Sequence, residues 1–498
     1  MKTTWLSNAF IYQINLRSLC AREPRNAIEA LKETGMDSTP LDYLCDNLDV
    51  LKSLGITVLH LMPPFEMGLL HRKGIGSPYA ARNYTAVDAE YGTIEQLKAL
   101  IQKAHRLDLK VIIGMVPNHT SRDHVWIESN PEYYVHNDQG EIIYDLDWSD
   151  TAKLDYTNPG LRVAMCDVYD FWLSLPGPDG LPDGVDGFRI DMAHFINDRT
   201  FWDDTISHLR EKHADKELLF LAECYGIDNS MDLFQCGFNA SYDDAFYKIL
   251  EHYYGTDPEG QSIAFSPDFH PENTTQSPYW SVFEKGGLSA AVRQLLTEYE
   301  TLLPTVPHPV FMARYADNHD EGRGIYRFGL PAVQAMTQLL FATNHCIPFM
   351  LTGQEFGAAN RPSIHNRFGL CDKGRQVVYG TNIVRQEGIE FEGNSFVRTY
   401  AARQELLQFY RDLIAWRKEH TALQIGTFHW LEVDEEGPAP GHTLLAFERR
   451  DEKETIRCIV NLGHTPKRFR NTALFTGEPH LGTIPPFAFF PESGSALK

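Results

Sequence analysis

Three acidic residues stand where short apolar runs end. Asp191 closes GVDGFRID (184–191), Glu223 closes LLFLAE (218–223), and Asp320 follows VFMARYA (310–316) within the segment ADNHDEGR. Arg189 precedes Asp191 by two positions, so on an extended strand both side chains face the same side, and a guanidinium there keeps the Asp191 carboxylate ionised. Glu223 follows the apolar LLFLA, where loss of water and nearby carboxylates predict a raised pKa and a protonated carboxyl. One ionised and one protonated carboxyl is the pairing that glycosidic bond cleavage requires: the first attacks or stabilises the anomeric carbon, and the second donates to the leaving oxygen. Asp320 fits a third role, binding sugar hydroxyls and steadying the positive charge that develops on the ring. His119 and His319 are placed to donate hydrogen bonds to the sugar. Asn118 and His119 close a further run within VPNHTS. A single Asp, Glu or Asn-His pair at a strand end is ordinarily a structural cap. The argument therefore rests on four such segments occurring in order.

A scaffold must bring these four ends together. The chain alternates short β-branched or apolar runs with longer amphipathic ones, the pattern of parallel βα units. The strand candidates are AFIYQINL (9–16), ITVLHLM (56–62), KVIIGMV (110–116), GVDGFRID (184–191), LLFLAE (218–223), NASYDDAF (239–246), VFMARYA (310–316) and CIPFMLTG (346–353). Helical segments such as TIEQLKALIQKAHRL and NPGLRVAMCDVYDFWLSL lie between most of them. Eight such units predict an α/β fold, a closed (β/α)8 barrel, whose site gathers at the C-terminal ends of the strands. The connection from His119 to Asp155 is too long for a turn and predicts a small lobe inserted after the third strand. After RQELLQFYRDLIAWRKEH (403–420) the texture changes to alternating strands (TFHWLEV, TLLAFERR, TIRCIVNL), predicting a C-terminal antiparallel β-sandwich. The expected division is a barrel over 1–118 and 156–420, a lobe over 119–155 and an all-β domain over 421–498.

With 498 residues, 43% hydrophobic and 22% charged, the chain has ample material for a large core. Its 45 basic and 67 acidic residues give a net charge of −22, which repels phosphate backbones and anionic lipid. Nucleic acid and membrane are therefore not expected as partners. No run approaches the roughly 20 apolar residues of a membrane span, and the N-terminus lacks the pattern of a cleaved leader, so a cytoplasmic location is the simplest expectation. The eight cysteines (Cys20, Cys45, Cys166, Cys224, Cys236, Cys346, Cys371 and Cys458) form no C-x-x-C pair and are expected to be reduced and mostly buried. The histidines show no compact metal-ligand spacing. Neither a metal nor any other cofactor is expected.

VPNHTS, GFRID, FLAECYG and NHDEGR resemble the four ordered signature regions of the α-amylase family. The likeness extends to AFIYQI, SPYAARNYTAVDAEYGT (77–93), KLDYTNPGLR (153–162), LTGQEFG (351–357) and LIAWRKEHTALQIGTF (413–428), nearly the whole chain. The resemblance implies Asp191 as nucleophile, Glu223 as general acid/base and Asp320 as transition-state stabiliser. It implies that Arg189, His119 and His319 hold the sugar at the cleavage point, that Tyr79 stacks beneath that sugar, and that His194 contacts the next one. The implied reaction is hydrolysis of α-1,4-glucosidic bonds in maltodextrins, with retention. Two alternatives remain: transfer of the glycosyl group to another sugar, and a non-catalytic carbohydrate-binding role, against which the three retained carboxylates argue. The chain departs from the family at Gly114, where an Asp is usual, at Phe195, where many members have a His whose carbonyl helps bind calcium, and at Asn83, commonly an Asp. With Phe195 and a lobe poor in oxygen ligands, no required calcium is expected despite Asn118. The lobe aromatics Trp126, Tyr133, Tyr134 and Trp148 offer flat apolar faces that suit sugar rings, but aromatics in a compact lobe more often form its own core, and that is the expectation here.

Overall fold

The structure, a computed structural model, describes residues 4–17, 19, 39–255, 279–358, 364, 371–372, 375–376, 400–471, 480–485 and 488–491. Eight short strands, buried along nearly their whole length, are β1 (Ile11–Ile14), β2 (Val58–Leu61), β3 (Lys110–Met115), β4 (Gly187–Ile190), β5 (Leu219–Ala222), β6 (Ala240–Tyr242), β7 (Phe311–Arg314) and β8 (Cys346–Leu351). They close in the order β1-β8-β7-β6-β5-β4-β3-β2, the barrel expected from the alternating pattern. Strands buried on both faces read as continuous apolar runs, which is why IYQI, VLHL and LFLA lack polar alternation. Between them, α1 (Ile94–Arg106) shows why the intervening segments are helical. Thr93 and Gln96 form a reciprocal capping box, and Leu97, Leu100, Ile101 and Ala104 repeat at helical spacing to give the buried face. The helix α2 (Pro159–Leu173) starts in the same manner, with Asn158 accepting from the amides of Gly160 and Leu161 and proline at the first position.

The sixth strand is shorter than NASYDDAF suggested. Asp243 ends it by accepting from the Phe246 amide, and the helix α3 (Asp244–Gly255) begins at once. The insert after β3 is closed at its base by antiparallel pairing of His119–Ser121 with Thr151–Lys153. Tyr84 fastens the start of this insert by donating to the carbonyls of Val116 (2.6 Å) and His119 (2.8 Å).

Compactness divides the chain into two units, one of Ile11–Tyr242 with 360–386, the other of Met1–Phe10, Asp243–Ala359 and Glu387–Lys498. The first holds β1 to β6 and the insert. The second holds β7, β8 and the C-terminal strands. Those strands make a four-stranded and a three-stranded antiparallel sheet. Leu444, Ala446 and Ile459 of the first sheet share one apolar core with Phe469 and Ile484 of the second, the inner layer of a sandwich. All six cysteines with described side chains are free: Cys224, Cys236, Cys346 and Cys458 are buried, and Cys45 and Cys166 are partly buried. Cys20 and the Cys371 side chain lie outside the described residues. No helix among the described residues is long and apolar enough to cross a membrane.

Candidate active site

In the first unit, the ends of β3, β4 and β5 bring together most of the residues singled out from the sequence. Asp191 follows β4 and Glu223 follows β5, each with its amide continuing the barrel ladder, Asp191 to the Met115 carbonyl (2.8 Å) and Glu223 to the Ile190 carbonyl (2.9 Å). Both carboxyls are thus set by backbone that cannot shift without breaking sheet hydrogen bonds. Both residues are buried, and Arg189 is wholly so. The Arg189 guanidinium donates through Nη1 to Asp191 Oδ1 (2.7 Å), and its Nη2 lies 2.8 Å from Glu223 Oε1, a close ion pair without hydrogen-bond alignment. Its Nε donates to the Tyr242 hydroxyl (3.3 Å), and the ring of Tyr79 lies 5.7 Å from it. Burial works against the guanidinium charge, but Glu223, Tyr242, Tyr79 and Asp191 outweigh it, so Arg189 stays protonated.

Glu223 is pushed up to about 7, first by burial and then by Asp191, while Arg189 and the Met192 amide pull the other way. That is the direction LLFLAE suggested. The Met192 amide donates to Glu223 Oε2 (3.0 Å) and the Tyr225 hydroxyl to Oε1 (3.4 Å). A carboxyl half protonated near neutrality beside one paired to arginine can give and take a proton while its neighbour remains ionised.

Around this pair lies a row of rings. Tyr225 stands 5.7 Å from His194, His194 5.0 Å from Phe195, Phe195 is stacked 5.9 Å from Trp148, and Trp148 lies 5.2 Å from His119. His194 and Phe195 occupy a short 3-10 turn just past Asp191, entered through Met192 in the left-handed region (φ 43°). Burial lowers both imidazoles, His119 to about 4, so both are neutral at pH 7 and donate as N–H groups. Asn118 turns its amide to Asp145 Oδ2 (2.9 Å), and Lys153 donates to Asp145 Oδ1 (2.6 Å). An ammonium and an amide N–H directed at Asp145 do not fit a calcium ion at that place. Among the described residues, no group of three or more His, Cys, Asp or Glu side chains is arranged to hold a metal.

In the second unit, Asn318, His319 and Asp320 follow β7. Asn318 Oδ1 accepts from the amides of Asp320 and Glu321 (2.9 Å each), and His319 Nε2 lies 3.0 Å from Asp320 Oδ2. His319 is buried and Asp320 is the more open of the two.

The departures have local causes. A Cβ on Gly114 would meet the Pro63 ring at 2.7 Å, so the proline fills the place an acidic side chain would take. Asn83 accepts from the Thr85 amide and hydroxyl (3.0 Å each), satisfying its own hairpin. Trp126 and Tyr133 pack edge to face and Tyr134 is buried, as a lobe core predicts, but Trp148 leaves that core for Phe195. Tyr225 and Tyr242 were not reached from the sequence, and Trp148 was expected in the lobe core. For Tyr225 there was a signal, its place two residues beyond Glu223. Tyr242 offered none beyond being aromatic.

Comparison with known proteins follows the same lines. The model of the α-amylase catalytic domain matches residues 33–141 and 128–426. Alpha-amylase 3 of Dictyoglomus thermophilum is 25% identical over 508 residues, covering 95% of this chain and 88% of that protein. Trehalose synthase/amylase TreS of Mycobacterium tuberculosis is 30% identical over 244 residues, covering 42% of this chain and 36% of that protein. Among solved structures, the noncanonic maltogenic alpha-amylase AmyB from Thermotoga neapolitana shares the fold with a TM-score of 0.67, at 21% identity over 99% of this chain and 97% of that one.

Proposed function

Because the chain belongs to the α-amylase family of glycoside hydrolases, we propose that it cleaves α-1,4-glucosidic bonds of maltodextrins or related α-gluco-oligosaccharides with retention, through a covalent glycosyl-enzyme. The observation that carries this reading is the buried carboxyl pair, one member held by Arg189 and the other raised to about 7. In the first step an Asp191 oxygen bonds to the anomeric carbon as the bond to the leaving oxygen breaks, and Glu223 passes its proton to that oxygen. In the second step Glu223 takes a proton from water, whose oxygen displaces Asp191 and regenerates the carboxylate. An inverting pair, about 6.5–9.5 Å apart, keeps a water molecule between its members. One guanidinium that reaches both carboxyls, 2.7 Å from Asp191 and 2.8 Å from Glu223, holds them close together, which supports retention.

Asp320 is assigned to stabilise the charged ring on the strength of its NHD motif after β7. Asn118, His119, His194 and His319 are assigned to sugar hydroxyls, and the row of rings from Tyr225 to Trp148 to the apolar faces of pyranose units. The likeness to a trehalose synthase/amylase favours one second reading, transfer of the glycosyl group to another sugar on the same residues.

Chromatography of products from maltoheptaose, with Asp191→Asn at matched concentration, tests both readings. Shorter maltodextrins released first as the α-anomer from the unsubstituted protein alone fit the proposal. Products longer than the substrate, or a non-reducing disaccharide, move the protein to the transferases. An unchanged substrate, or first release of the β-anomer, removes the proposal.

A further inference from the structure

The helix α3 starts directly after β6 and carries Asp244, Lys248 and Glu251 on one face, since positions four and three apart are neighbours on a helix. Lys248 Nζ donates to Glu251 Oε2 (2.9 Å) and reaches across to Glu321 Oε1 (3.5 Å), a residue 73 positions further along the chain. Asp244 belongs to the same group. Its carboxyl is raised to about 7 by burial, with Lys248 opposing and Glu321, Glu251 and Asp243 adding to the rise, and its Oδ1 is buried without a hydrogen-bond partner. One ammonium therefore stands among three acidic side chains. Beneath it the helix is fixed to the strand that leads to Asp320, because Tyr247 packs 5.2 Å from Tyr315, the residue after β7.

Glu321 is the immediate neighbour of Asp320, and the two backbone amides share one acceptor, Asn318 Oδ1. The two residues therefore move together. The Asp320 side chain is half open and lies 3.0 Å from His319. Asn318, and Asp317 accepting from the Gly324 amide (3.1 Å), hold the turn from within, and the Lys248 ammonium on Glu321 ties it to α3.

We propose that Lys248 is a positioning residue for Asp320, holding the turn after β7 in its working place through Glu321. This rests on the assignment of Asp320 to the reaction. Without the ammonium, Glu321 faces the Glu251 carboxylate as a like charge and swings toward solvent, carrying the Asp320 backbone with it. A shift of about 1 Å in a catalytic group costs on the order of 10²-fold in rate. The loss belongs to kcat.

The test is steady-state hydrolysis of maltoheptaose by the full chain carrying Lys248→Met, Glu321→Gln, both together, Lys248→Arg, or Asp320→Asn. Lys248→Met is expected to lower kcat at least tenfold with KM changed less than threefold, and Lys248→Arg to recover most of the loss. Because Lys248 acts through Glu321, adding Lys248→Met to Glu321→Gln costs less than a further twofold. Independent, multiplying losses overturn the proposal, as does unchanged kcat in Lys248→Met while Asp320→Asn is inactive. If Lys248→Met does not fold, Glu321→Gln decides alone, and unchanged kcat there overturns it. Full activity in Asp320→Asn defeats instead the role of Asp320 on which the proposal stands.

Discussion

Replacing Arg189 by methionine keeps an unbranched stem and removes one buried charge from between two carboxyls. In the intact protein the guanidinium lies 2.7 Å from Asp191 and 2.8 Å from Glu223, with no exposure to solvent. Removing one partner of a buried, hydrogen-bonded ion pair leaves the other uncompensated at a cost of about 3–5 kcal/mol. Here the pair relieves that cost by holding a proton, so Asp191 loses nucleophilic character and Glu223 binds its proton more tightly. If a loss of this size falls on the transition state, kcat/KM drops about 10²- to 10⁴-fold. The sign of the pH effect follows from the contributions at Glu223, where Arg189 is the chief force opposing burial. The active form carries the proton on Glu223, so kcat/KM falls as pH rises through about 7 in the intact protein, and this limb moves to higher pH without Arg189. The assay is kcat/KM on maltoheptaose from pH 5 to 9, alongside melting curves showing that the variant is folded. A folded variant within threefold of the parent, with its alkaline limb unmoved, refutes the division of roles assigned to the carboxyl pair.

Other expectations follow from the same geometry. Glu223→Gln should lose roughly 10²- to 10⁴-fold on maltoheptaose but far less of its first turnover on an aryl α-maltoside, whose phenolate leaves without a proton; equal losses in a pre-steady-state burst would speak against Glu223 as the acid. Trp148→Ala should raise KM roughly tenfold, for about 1.5 kcal/mol of stacking, with kcat within threefold, and an unchanged KM would place Trp148 outside the binding surface. His105 lies 2.6 Å from Asp183 and 2.8 Å from Asp186, and although burial opposes its charge, the two aspartates raise its pKa. A raised folded-state value means the clamp stabilises fully below the ordinary histidine range and fades as pH rises through that value. His105→Gln should therefore lower Tm by a few degrees at pH 5.5, for about 2 kcal/mol, and by less at pH 9; a larger loss at pH 9 contradicts the clamp.

The parts legible in the sequence were those governed by local chain geometry. A strand puts residues two apart on one face, so FRID already placed Arg189 and Asp191 together, and the structure joins them at 2.7 Å. The capping box of Thr93 and Gln96 and the spacing of Leu97, Leu100, Ile101 and Ala104 likewise lie within one stretch of chain. Eight largely apolar runs in βα order were enough to expect a closed barrel, because strands covered on both faces are mostly apolar along their length. The sixth run was overextended because the side chain of Asp243 turns back to cap α3, a competition between strand and helix that composition does not reveal.

What only the tertiary structure decided are the relations between residues far apart in the chain. Pro63 fills the space beside Gly114, Trp148 leaves the lobe for Phe195, Tyr242 takes the Arg189 Nε hydrogen, and Lys248 meets Glu321. The ordering of charges is of the same kind: Glu223 rises to about 7 because burial and Asp191 outweigh Arg189, a balance of opposing effects at contact distance. The chain by itself determined which chemical groups stand at the strand ends, since that follows from periodicity and order. How strongly each holds its proton depends on through-space distance and lost water, and those quantities exist only once the barrel has closed.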